Sequence, residues 1–164
     1  LPKLAKASSN PKLRQAFESH LQETQAQIGR LEQVFESLDE KVRGKHCDGN
    51  AGIIDEVKSI IEEDFDDTTM DACLIAAGQR AEHYEMAAYG TLVAWAQAMG
   101  HPKAAKLVQQ TLNEEKAADK KLSGLAESGI NQSAADAAHS DKEDEESEAP
   151  ATGARKGAAK GGRR

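Results

Sequence analysis

The sequence predicts an all-α domain, a bundle of four helices, and three observations lead there. Alanine, leucine, glutamate, lysine and glutamine dominate the body, and all are good helix formers. No run of alternating β-branched residues is present. Three long segments carry apolar residues at helical spacing, each opened by a cap or closed by a breaker. The 164 residues suffice for one domain with a real core.

Leu1-Pro-Lys-Leu-Ala-Lys-Ala7 reads as the end of a helix, followed by a cap at Ser8-Ser9-Asn10. The first helix of the bundle is therefore expected to be truncated to residues 1–7. Asn10-Pro11 starts the next helix: Asn caps the free amides and Pro suits the first helical position. Its apolar stripe is expected at Leu13, Phe17, Leu21 or His20, Thr24, Ile28, Leu31, Val34/Phe35 and Leu38, ending near Asp39-Glu40. Residues 40–67 form a long connection with a short amphipathic helix at residues 53–61. Thr68 with Asp71 resembles a capping box that opens the next long helix, from about Thr69 to Met99. Gly100-His101-Pro102 breaks it, and Pro102 opens the last one. Its stripe is Ala105, Val108, Thr111/Leu112, Glu115, Ala118/Asp119, Leu122 and Leu125, ending near Ser128-Gly129. The long connection lets the two helices it joins lie parallel, which is the ferritin-like arrangement. The bundle is expected over 1–129. Residues 130–164 are low complexity, acidic then basic, and read as a disordered tail.

The net charge of -7 argues against nucleic-acid binding by the body. Cys47 and Cys73 form no disulfide framework and fit a reducing compartment. No stretch is long and apolar enough to span a membrane, and no secretory signal is present. There is no nucleophile–His–acid arrangement, no phosphate-cradling glycine loop and no CxxC.

The chemistry lies in the polar residues on the apolar stripes. Glu82 and Glu85 sit at i, i+3 along Ile75, Gln79, Glu82, Glu85/Met86, Tyr89, Leu92/Val93 and Ala96. Buried carboxylates are expensive unless paired or bound to a cation, so a metal is the leading partner and Arg80 the competing one. His20 and Glu23 occupy the corresponding level of the first long helix. Glu115, with Asp119 one turn on, does so in the last. Helix midpoints come level in an antiparallel bundle, so these groups are expected to converge. Carboxylates with an imidazole suit hard or borderline divalent metals. Taken singly, Glu23 and Glu115 read as solvated helix residues and His20 as a hydrogen-bonded core histidine. Tyr89 is placed to hydrogen-bond a carboxylate or to pack. Gln27 is placed to orient Glu23 or to pack. Cys47, among basic neighbours, reads as an unreactive loop thiol.

The stretches Leu1-Pro-Lys-Leu-Ala-Lys-Ala, His20-Leu-Gln-Glu23-Thr24, Arg30-Leu-Glu32, Arg43-Gly-Lys-His-Cys47, Ala81-Glu-His-Tyr-Glu85 and Glu114-Glu-Lys-Ala-Ala-Asp119 resemble the YciE/YciF family of bacterial ferritin-like proteins over about residues 1–127. The resemblance implies a commonly dimeric bundle, a link to bacterial stress responses, and kinship with rubrerythrin-type di-iron bundles. Glu82-x-x-Glu85 matches the Glu-x-x-Glu helix of those bundles. His20-x-x-Glu23 reverses their Glu-x-x-His order, and Ala118 stands where a second histidine would be. Family members carry a full first helix that supplies a further glutamate. The resulting expectation is a cytoplasmic homodimer, without membrane attachment, holding one or two iron or manganese ions between His20, Glu23, Glu82, Glu85, Glu115 and Asp119. Peroxide or oxygen would be its natural substrate. The rival expectation is a metal-free structural or interaction protein whose inward acids fix helix register. Its basic tail would touch nucleic acid or an acidic partner.

Overall fold

A computed structural model describes the chain from residue 1 to residue 148; the basic end of the tail lies outside the described residues. Those residues form α1 (Pro2–Ala7), α2 (Pro11–Ser37), α3 (Asp48–Glu62), α4 (Asp67–Ala98), α5 (Pro102–Leu125) and α6 (Asn131–Glu148). There is no strand among them. None of the helices is long and apolar enough to cross a membrane.

Asn10 caps α2 by accepting from the amides of Lys12 and Leu13, and Pro11 takes the first helical position. The cap of α4 differs from the Thr68–Asp71 box expected from sequence. Asp66 accepts from the amides of Thr68 and Thr69, and α4 starts at Asp67. Asp71 is thereby free for another task. Its buried carboxylate accepts from the amides of Ser9 (2.9 Å) and Asn10 (2.8 Å), tying the turn between α1 and α2 to α4. Removing it leaves two amides without acceptors, so Asp71→Ala should lower unfolding stability by about 2 kcal/mol in urea titration, with an unchanged m value.

The relative direction of the helices follows from their contacts. Asn10 lies level with Asp71, His20 with Glu82, and Val34 with Val93 and Ala96, so α2 and α4 run parallel. This agrees with the long crossover, which α3 occupies, packing on α4 through Val57 and Ile61. The α4–α5 turn is short, with Gly100 at φ 76, and α5 returns antiparallel. The main core is Leu4, Leu13, Phe17, Leu74, Ile75 and Leu122 with their neighbours. Gly78 permits that packing: a β-carbon there would lie 3.1 Å from Phe17 and 3.2 Å from Leu122.

Two expectations about the core change. On α2, Ile28 is exposed, while Gln27 and Arg30 are buried. The stripe rotates because α5 presents polar partners: Arg30 donates to Thr111 Oγ1 (2.7 Å) and to both oxygens of Glu114 (2.7 and 2.8 Å). Gln27 donates to Glu114 at 3.3 Å rather than orienting Glu23. The bundle also continues past residue 129. A π turn, Ala126–Ile130, bends at Gly129 (φ 139), buries Ala126 and Ile130 in the main core, and leads into α6, which packs on α4. The low-complexity composition there conceals one anchoring residue, Ile130, at the point where the chain turns back.

Candidate metal centre

Helical spacing brings polar groups from all three long helices together at mid-height in the core. His20 comes from α2, Glu82 and Glu85 from α4, and Glu115 from α5. One donor atom from each of these four lies within 4.8 Å of the others. Glu115 is fully buried (0% exposed) and Glu82 nearly so (2%). His20 Nε2 lies 3.1 Å from Glu82 Oε1 and 3.4 Å from Glu115 Oε2. Its other nitrogen, Nδ1, lies 3.1 Å from Glu23 Oε2. Three buried carboxylate oxygens, Glu82 Oε2 and both of Glu115, make no hydrogen bond, and His20 approaches Glu115 Oε2 no closer than 3.4 Å. Such orphaned acceptors are rare in folded proteins and costly.

Electrostatics follows from this crowding. Burial opposes the charge on His20, but Glu82, Glu23 and Glu115 outweigh it and raise its pKa to about 9. Burial, then Glu82 and Glu85, pushes Glu115 up to about 8, against the pull of His20. Burial and Glu82 also push Glu85 up, opposed by His20. At neutral pH the cluster thus holds protons where a cation would otherwise sit.

The remaining sequence candidates are placed apart from the four. Glu23 is half exposed (52%) and touches His20 only on the far side of the ring. Asp119 accepts from Gln79 (3.0 Å) and pairs with the exposed His83 (3.2 Å). Arg80, the competing partner of the Glu82/Glu85 pair, turns outward to Glu56 of α3 at 3.3 Å. Tyr89 makes no hydrogen bond to a carboxylate. It packs with the Val93–Val108–Leu112 cluster, its pKa raised to about 12 by burial and by Glu85 and Glu115. Cys47 and Cys73 are both free. Cys47 Sγ lies 3.0 Å from the Tyr84 hydroxyl, which holds the thiol below its ordinary pKa, a contact across the crossover that no sequence signal marks.

The four residues fit one metal ion. Ligands opposite each other on an ion with bonds of about 2.1 Å are about 4.2 Å apart, so closing the set needs shifts of about half an ångström. His20 would bind through Nε2, with Nδ1 kept as a donor to Glu23. That is the usual outer-shell support of a ligating histidine. A dinuclear centre of the usual bundle type calls for two histidines and four carboxylates, and the group here has one and three. A cavity of about 390 Å³ bounded by α1, α2, α3 and α4 reaches the cluster, with His20, Glu82 and Glu85 in its wall.

Fold and site together define an all-α bundle with a buried histidine–carboxylate cluster at mid-height. The chain belongs to the family described as a domain of unknown function, DUF892, which it matches over residues 1–135. It is 49% identical to protein YciF of Escherichia coli (strain K12) over 135 residues, 82% of this chain and 81% of the relative. The crystal structure of that E. coli stress protein matches with a TM-score of 0.76, covering 79% of this chain and 82% of the other. A second solved structure, YcfI of Rhodopseudomonas palustris, for which a structural role has been suggested, is 45% identical with a TM-score of 0.73. It is matched over 74% of this chain and 78% of its own.

Proposed function

We propose that this protein is a cytoplasmic, stress-associated, ferritin-like bundle that binds one iron or manganese ion through His20 Nε2, Glu82, Glu85 and Glu115. The observation that carries the reading is the set of three buried, unpartnered carboxylate oxygens beside an imidazole. Oxygen-rich sites with one nitrogen suit manganous and ferrous ions. A bound ferrous or manganous ion would supply redox chemistry toward peroxide or oxygen. This chain's own residues would position the ligands, with Glu23 fixing the His20 ring and the apolar wall limiting water. The free cysteines fit a reducing compartment.

A second reading has its own support. With its pKa raised to about 9, His20 is itself a cation and meets two of the carboxylates. In that reading the cluster is a structural ion-pair knot that fixes helix register, in keeping with the role suggested for the R. palustris relative. The basic tail would then be free to contact nucleic acid or an acidic partner.

Elemental analysis separates the two. Protein reconstituted anaerobically with ferrous or manganous ion should retain about one ion per chain, and Glu82→Ala/Glu85→Ala should retain none. A folded wild-type protein that retains no ion after reconstitution refutes the metal reading.

A further inference from the structure

A second, smaller cavity, of about 90 Å³, adjoins the cluster between α2 and α5. Ala16 and Phe17 of α2 and Ala118 and Leu122 of α5, all buried, form its apolar wall. His20 and Glu82 form its polar end, and it opens to solvent beside the exposed Lys121. Short side chains set its volume. Ala118 follows Glu115 at i, i+3 and so lies on the same face of α5. A longer side chain there would occupy the space that alanine leaves, and Ala16 leaves space in the same way from α2.

Size and chemistry together define the occupant. The volume equals about three waters' share of the liquid. No second group of three metal-ligating side chains gathers among the described residues, so the space is not that of another ion. At the polar end both ring nitrogens of His20 are engaged, Nε2 with Glu82 Oε1 and Glu115, Nδ1 with Glu23. Glu82 has one buried oxygen, Oε2, that makes no hydrogen bond. A carboxylate that gives one oxygen to an ion keeps the other as an acceptor. The polar end therefore repels anions and selects a neutral molecule that donates a hydrogen bond. Dioxygen has no proton to donate. An alkyl hydroperoxide has one, but its carbon skeleton exceeds the volume. Hydrogen peroxide meets both conditions.

We propose, on the reading of the cluster as an ion site, that this pocket between α2 and α5 binds hydrogen peroxide and that Ala118 sets its size limit. The pocket is a sieve as well as a binding place: it admits hydrogen peroxide and shuts out dioxygen by chemistry and larger peroxides by volume.

Zinc does not turn peroxide over, so crystals of the zinc-loaded protein soaked in hydrogen peroxide should show the molecule in the pocket, hydrogen-bonded to Glu82. A soak in tert-butyl hydroperoxide should leave the pocket without it. In solution the manganous protein should consume hydrogen peroxide about a hundredfold faster than tert-butyl hydroperoxide. Ala118→Leu should retain its ion by elemental analysis and keep its helicity, yet consume hydrogen peroxide about tenfold more slowly or worse. Ala16→Val fills the same space from α2 and serves where Ala118→Leu does not fold. Ordered water alone in the soaked pocket overturns the proposal. So does an ion-loaded Ala118→Leu or Ala16→Val that works at the wild-type rate, or a wild type that consumes both peroxides equally. An ion-loaded wild type that consumes neither peroxide overturns the pocket and leaves the ion site standing. A wild type that retains no ion after reconstitution fails at the elemental analysis, and there the ion reading falls together with the pocket.

Discussion

Saturating manganous or ferrous ion should raise the unfolding free energy of the metal-free protein by about 3 kcal/mol at a hundredfold excess over Kd, through selective binding to the folded state. For a domain of this size that is a rise of roughly 6–10 °C in Tm. The gain comes from groups on three separate helices, since His20, Glu82, Glu85 and Glu115 converge only in the folded bundle. Glu82→Ala should abolish it. Glu115→Gln is the sharper variant. Glu115 is held protonated at neutral pH, with a pKa of about 8, so a neutral isostere changes the metal-free protein little. A carboxamide oxygen is an uncharged and weaker ligand for a divalent cation, and the ion-dependent shift should fall well below that of the wild type. Thermal scans with and without chelator, on wild type and Glu115→Gln, check this. An equal ion-induced shift in both proteins would place the ion elsewhere.

The long helices were legible because their signals are local. Asn10-Pro11, Gly100 and Pro102 punctuate the chain, and the α5 stripe from Ala105 to Leu122 is buried as its spacing implies. Glu82 was legible for the same reason: it interrupts an apolar stripe whose burial spacing alone establishes. Glu115, which taken singly reads as a solvated helix residue, is instead fully buried among the groups of the other helices. What the sequence concealed depends on partners far along the chain. Arg30 stands off the apolar stripe read along α2, and it is buried because Thr111 and Glu114, more than eighty positions away, face it. Glu23 sits at ligand spacing from His20, yet it supports the ring from its solvent side, because Nε2 faces the carboxylates of the other helices. Asp119, one turn beyond Glu115, is claimed by Gln79 and His83. Periodicity gives the face of a helix and not the angle at which a second helix meets it. Ile130 shows the same limit in composition: one apolar residue after Gly129 extends the core across a segment that otherwise reads as tail.

His20→Ala in the metal-free protein should cost about 3–5 kcal/mol near neutral pH, because it removes the cation that faces Glu82 and Glu115 and leaves buried acids facing one another. The pH dependence gives the sign. His20 has a folded pKa of about 9 against the usual 6.5, so its stabilisation is complete below about 6.5 and is lost as pH rises through about 9. Glu115, raised from 4.5 to about 8, acts in the same direction, since its protonated form suits the core and its stability is lost as pH rises through about 8. Metal-free protein should therefore lose stability steadily from about pH 5 to pH 9. In His20→Ala the part of that slope above about pH 6.5 should diminish. With manganous ion present the slope should turn upward, because the ion needs Nε2 and the carboxylates free of protons and binding releases them. Urea titrations at pH 6, 7 and 8.5, with and without the ion, measure all three. A metal-free slope that rises with pH would mean that the four groups are not packed together as described. A slope that falls equally with and without the ion would leave His20 as the sole cation of the cluster and support the structural reading.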